Sequence, residues 1–250
     1  MYFIYFILLL YSTVGYSQVN IESSRLQIFS EDGLHTTSEV GWELKKGNTN
    51  VTEVRMGLRL DFVNGKNHTF LSGKYDYGYS NEATFKNSTY AHLRHTYMFG
   101  EVVGAEGFLQ SQSSEFNALK LRQLVGSGAR IEKKADSFVF AIGVGGMLEY
   151  ENLTYEIEDQ DFLVFRSTNY LSIRHKLAKR SPLQMYTIAY YQPLFSNVDD
   201  YRILVDSGLE YSISKYFILT NSFNVLYDAN PPINVGGFDL ANTLKIKSQF

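Results

Sequence analysis

The sequence contains no cysteine. That excludes a disulfide framework and thiol chemistry, and it leaves the redox compartment unmarked. Proline is scarce, 4 in 250 residues, so little interrupts an extended ladder. Neither sign of charge dominates. The formal net charge is -3 and the basic residues are scattered, which is not the footprint of a nucleic-acid binder. Beyond residue 16 no segment reaches the ~18 consecutive apolar residues of a membrane-spanning helix. No Pro/Gly/Ser-rich linker divides the chain, which reads as one domain behind a leader.

The leader is the apolar run Tyr2–Tyr16, YFIYFILLLYSTVGY. It is too short for a comfortable span and has no stop-transfer flank, so it reads as a signal peptide over residues 1–17, cleaved after Ser17. No Lys or Arg precedes the run, and bulky Tyr16 sits between the small residues Gly15 and Ser17. The expected mature chain is 18–250, with 18–36 a lead-in and 37–250 the folded body.

What is abundant is 19 Tyr, 18 Phe and 19 Gly, which suits strands with aromatic girdles. The alternation of faces is clearest over Val102–Glu132. There Glu106, Gln110 and Gln112 share one face, opposite Ala105, Gly107, Leu109 and Ser111. After a polar turn, Ser113–Asn117, the returning strand sets Lys120, Arg122, Gly126, Gly128, Arg130 and Glu132 against Leu119, Leu121, Val125, Ala129 and Ile131. Successive strand residues point to opposite sides of a sheet. One face is therefore charged and the other apolar enough to meet lipid.

The pattern recurs in segments near the ~9–11 residues of a tilted membrane strand. Thr37–Lys46 is the expected first strand. Val51–Val63 alternates Val54, Met56, Leu58, Leu60 and Phe62 with Glu53, Arg55, Arg59 and Asp61, and ends at Asn64-Gly65, a turn whose residues tolerate positive φ. Similar phasing places Arg94, Arg166, Arg174, Arg202, Asp206 and Glu210 on inner faces, with Glu106 expected to meet both Arg94 and Arg122. Gly143 and Gly145 lie inward, where glycine leaves room for a bulky neighbour. Leu183–Tyr191 resists phasing because both faces carry large residues. About twelve strands follow, an even number that puts both termini at one end, read as periplasmic. The longer connections then fall at the opposite end, including Asn81–Ser88 and the acidic Asn152–Asp161. The fold class is an all-β, antiparallel up-and-down transmembrane barrel in the outer membrane.

The last strand sets Leu244, Ile246 and the terminal Phe250 on one face. It resembles the C-terminal assembly signal of bacterial outer-membrane barrels, which implies the barrel-assembly machinery as a partner. Three stretches resemble the outer-membrane proteins of domain-of-unknown-function family 481, some of them labelled salt-induced: Lys46-Gly47-Asn48-Thr49, His92–Phe99 and above all Gly104–Arg130. The resemblance implies a barrel and a location, and no established activity.

The candidate site is the lumen charge network: Arg55, Arg59, Asp61, Arg94, Glu106, Lys120, Arg122, Arg130, Glu132, Arg166, Arg174, Arg202, Asp206 and Glu210. Such charges either line a water-filled pore or pair across the lumen and close it. The expectation is a largely filled lumen or narrow channel in a non-enzymatic envelope or stress-related barrel. The competing class is a lipid hydrolase or acyltransferase, which needs a nucleophile with a base in reach. His92 and His95, three apart on a strand, face opposite sides and do not cluster. A soluble β-sandwich is the third reading. Glu156–Asp161 lacks the spaced ligands of a calcium loop. The Gly143–Gly146 stretch lacks the Lys-Ser/Thr of a phosphate loop. No catalytic, cofactor or metal residue is assigned, no cofactor is expected, and the partners are outer-membrane lipids and an unidentified small solute.

Overall fold

A computed structural model describes residues 32–45, 51–80, 83–115, 119–154, 159–178, 181–231 and 236–249. The leader, the Lys46–Thr49 turn, residues 155–158 of the acidic connection and Phe250 lie outside the described residues.

Alternating side chains build twelve strands: β1 (Gly33–Lys45), β2 (Val51–Asn64), β3 (Asn67–Ser80), β4 (Ala83–Met98), β5 (Val103–Ser114), β6 (Leu119–Ala135), β7 (Phe138–Thr154), β8 (Asp159–Lys176), β9 (Leu183–Pro193), β10 (Tyr201–Ser212), β11 (Phe217–Asp228) and β12 (Phe238–Gln249). Each pairs antiparallel with its chain neighbours, and β12 returns to β1 to close the barrel. Closure removes the exposed edges that a membrane-spanning sheet cannot leave unpaired. The closing seam is short: Thr37–Val40 pair with Gln249–Ile246, whereas β1 pairs with β2 along its whole length, Gly33–Lys45.

The wall keeps its phase from strand to strand. Leu58, Leu109, Val144, Leu209, Leu240 and Leu244 are exposed on the outside, as expected of a surface whose solvent is hydrocarbon. Polar side chains that interrupt this face pair with one another. Thr187 and Ser207 hydroxyls meet at 2.7 Å, and Asn221 Nδ2 donates to Asn242 Oδ1 at 3.3 Å. Pairing of this kind lowers the cost of polar groups in lipid.

Three boundaries and one turn differ from expectation. β1 begins at Gly33, four residues before Thr37, because Gly33–Thr36 pair with Val63–Leu60 of β2. The Asn81–Ser88 connection shrinks to residues 81–82, and the acidic one to 155–158, since β3–β4 and β7–β8 keep pairing beyond the apolar band. The added stretches, residues 83–88 and 159–161, are mostly polar in sequence, so they lack the alternation that marks a strand while the backbone ladder continues. The turn after β2 is Gly65-Lys66, with Gly65 at φ +56° in the first position. β9 resolves with Tyr186, Ile188 and Tyr190 buried inside. The longest connections between described strand ends, 194–200 and 229–237, leave from the end opposite the termini.

Candidate functional site

The lumen is built from strands that each contribute every second residue. Most of its charged residues form two layers. The first lies near the termini, where Asp61 and Arg130 approach the ends of β2 and β6, and His68 and Glu106 the starts of β3 and β5. Arg59 Nε donates to Asp61 Oδ2 at 2.6 Å, and His68 Nε2 lies 2.7 Å from Asp61 Oδ1. Arg94 Nη1 donates to Glu106 Oε1 at 3.0 Å. Arg130 Nε donates to Glu132 Oε2 at 2.8 Å. On the far wall Glu210 accepts from Arg174 Nη1 at 3.0 Å and Lys247 Nζ at 2.7 Å, tying β8, β10 and β12 together.

The second layer sits at the opposite end. Glu149 on β7 accepts from Arg166 Nε at 2.9 Å and also from Arg202, and Arg122 Nε lies 3.2 Å from its Oε1. Glu151 accepts from Arg122 and, at 3.1 Å, from Arg202 Nη2. Asp228 accepts from Arg202 Nε at 2.8 Å, and Asp200 from Arg166 Nη1 at 3.0 Å. Three guanidinium groups thus share four carboxylates. An arginine fork suits this, because its fixed donors satisfy more than one acceptor at once.

Between the layers, on the β3–β9 side, the filling is aromatic. His92 stacks on Phe70 and Phe108 with ring centroids 5.5 and 5.7 Å apart. Arg59 lies 3.7 Å over the Phe70 ring, a cation–π contact. Tyr170, Tyr186, Ile188 and Tyr190 pack with Ala141 into one buried cluster. Tyr170 lies over Gly143, its register partner. A Cβ on Gly143 would stand 1.9 Å from the Tyr170 ring, so only glycine admits the ring. Across β7 and β6 the Tyr170 hydroxyl donates to Glu106 Oε2 at 3.2 Å and accepts from Arg130 Nη1 at 2.9 Å.

Most residues of the expected network are buried on the inner face: Arg59, Asp61, Arg94, Glu106, Arg122, Arg130, Glu132, Arg166, Arg174, Arg202, Asp206 and Glu210. Arg55 is half-exposed and bonded to Glu53 Oε1 at 2.6 Å. Two placements are corrected. Lys120 is exposed while Leu119 is buried, because the register shifts between Leu119 and Leu121 and reverses the faces at the tip of β6. Such bulges re-aim side chains. Glu106 does not share a pair with Arg122. Its register partner on β6 is Gly128, and six strand residues place Arg122 about 20 Å away. Arg122 instead turns to Glu149 and Glu151, which sequence reading missed by phasing β7 from its apolar residues alone. Tyr170, Glu39 and Lys247 were missed too; the glycine at 143 was the available signal for the first.

Among the described residues no group of three or more His, Cys, Asp or Glu is placed to hold a metal ion. The His95 ring lies on the outer face, with Nδ1 2.8 Å from the Thr69 hydroxyl.

Residues 38–244 match the sequence profile of DUF481, described as a protein of unknown function. The chain belongs to this family. No curated protein matches it. Among solved structures the DUF481 barrel is similar to the translocator domain of the autotransporter NalP from Neisseria meningitidis, at 9% identity over 91% of each chain with a TM-score of 0.52. It is also similar to the NanC porin, at 8% identity over 86% of this chain and 98% of the other with a TM-score of 0.50. At such identities the likeness is one of fold: a closed, outer-membrane type of β-barrel.

Proposed function

We infer that this DUF481 protein is a non-enzymatic barrel of the bacterial outer membrane, with its termini in the periplasm, whose lumen is a narrow, charge-lined conduit rather than an open pore. The observation that carries this reading is that the inner-face charges are buried and bonded to one another, some of them between strands three apart. Glu210 binds cations from β8 and β12, and Arg202 binds carboxylates from β7 and β11. A ring of paired charges with aromatics between its layers leaves little width for solute. The apolar outer face supports insertion in lipid, and the long connections at one end support that end as the outer surface.

Against a lipid-modifying enzyme stands the use made of the histidines. His92 is enclosed by stacked rings. Among the described residues the His68 ring bonds only to Asp61 and the His95 ring only to Thr69, so neither imidazole is held between a nucleophile and an orienting carboxylate as base catalysis requires.

Planar-bilayer recording tests the reading. The expected result is conductance well below that of a general porin, rising when Glu149 or Glu210 is replaced by alanine. Wide ohmic channels in the unaltered protein would sink it. Outer-membrane fractionation with heat-modifiable mobility checks the location and the barrel together.

A further inference from the structure

One group of lumen charges belongs to neither paired layer. Glu39 on β1 reaches over Gly57 of β2 toward Lys74 of β3; the three are register partners in a row. A Cβ at Gly57 would stand 2.6 Å from Glu39 Cγ, so the glycine is what lets this carboxylate lie along the wall. From the other side Lys245 of β12 donates to Glu39 Oε2 at 2.9 Å. Lys74 is less well served. Among the described residues its one ion-pair contact is Glu39 Oε1 at 3.9 Å, beyond hydrogen-bonding distance.

Among the described residues no other carboxylate bonds Lys74, although Asp206 and Asp76 attract it from farther off. Asp206 also accepts from the Tyr186 hydroxyl at 3.1 Å, Asp76 lies opposite Arg55 in the β2–β3 register, and Lys247 is held by Glu210. Two ammonium groups therefore converge on one carboxylate. An ammonium carries three donors and no acceptor, so both lysines have donors to spare. The group is also accessible: the Lys74, Lys245 and Glu39 side chains are 18%, 17% and 23% exposed, whereas those of Arg174, Glu210 and Lys247 do not exceed 10%. It stands where the short closing seam stops, on the side away from the termini: Lys245 immediately precedes Ile246, at which the pairing of β12 with β1 ends.

We propose that Lys74 and Lys245, held apart by Glu39, form a binding site for a carboxylate group, supplied either by a small free solute or by the head of an amphiphile entering at the β1–β12 seam. The carboxylate oxygens take the donors that Glu39 leaves open.

The test uses the folded barrel in detergent, with carboxyl-labelled acetate and decanoate observed by NMR. Saturable binding of acetate identifies a free solute as the source; saturation by decanoate alone identifies an amphiphile. Either is expected to weaken about tenfold or more in Lys74→Met and in Lys245→Met, as for loss of one hydrogen bond to a charged group. Lys74→Arg keeps the charge and retains binding, and heat-modifiable mobility confirms that each variant is folded. Absence of saturable binding by both probes, or binding unchanged in both methionine variants, overturns the proposal. The outcome is separable from conductance: a wide channel that still binds carboxylate through Lys74 defeats the narrow-conduit reading and leaves the site standing.

Discussion

Tyr170 on β8 and Glu106 on β5 meet at 3.2 Å across two intervening strands. The contact exists because Gly143 presents bare backbone beneath the tyrosine ring, and because Arg94 and Arg130 hold the two ends of the bridge. Buried hydrogen bonds to charged groups are worth more than neutral ones. A double-mutant cycle of Glu106→Gln and Tyr170→Phe is expected to give a coupling of about 1–2 kcal/mol. Denaturant unfolding of the refolded barrel measures it, and additivity of the two changes would remove the bridge as a stabilising element.

Gly143→Ala tests the shelf on which the ring lies. The added methyl overlaps the Tyr170 ring, and overpacking of this kind costs about 1–3 kcal/mol. In a Tyr170→Ala background the same substitution should cost under roughly 0.5 kcal/mol, as for a site with no shared partner. An equal loss in both backgrounds would place the strain elsewhere in β7.

Glu149 is the hub of the second layer, facing Arg122, Arg166 and Arg202. Glu149→Ala leaves these guanidinium groups competing for fewer carboxylates, at an expected cost of about 3–5 kcal/mol. Because the group is buried, unfolding should depend little on ionic strength between 0.1 and 1 M, which screens exposed pairs far more. A steep salt dependence would mean that the layer is open to water.

The lipid-facing phase is testable at adjacent positions. Leu58, midway along β2, is exposed outward and Arg59 is buried inward. Leu58→Arg is expected to cost about 2–4 kcal/mol in a bilayer, the depth-dependent penalty of a charge near its middle. Leu58→Phe should be nearly neutral. Equal tolerance of both would mean that β2 faces the opposite way.

The inward and outward sets of β2, β5, β8 and β10 were legible in the chain because one solvent is hydrocarbon and the other side is polar, so every second residue carries the signal. The same logic failed on β9. Tyr186, Ile188 and Tyr190 fill the lumen, and an aromatic interior looks like a lipid-facing exterior in sequence. It failed again at Lys120, where one unpaired residue reverses the faces without any mark in composition.

Alternation and composition by themselves determined that this is a closed antiparallel barrel with a charged inner wall. They act through local physics, the two-residue period of a strand and the cost of exposing polar backbone to lipid. Which charge meets which was decided only by tertiary structure. Arg122 takes Glu149 and Glu151, Glu106 takes Tyr170, and Glu39 crosses Gly57 to leave Lys74 short of a partner. Those pairings depend on register and on glycines that let a side chain lie across a neighbouring strand. A chain read one strand at a time carries neither distance.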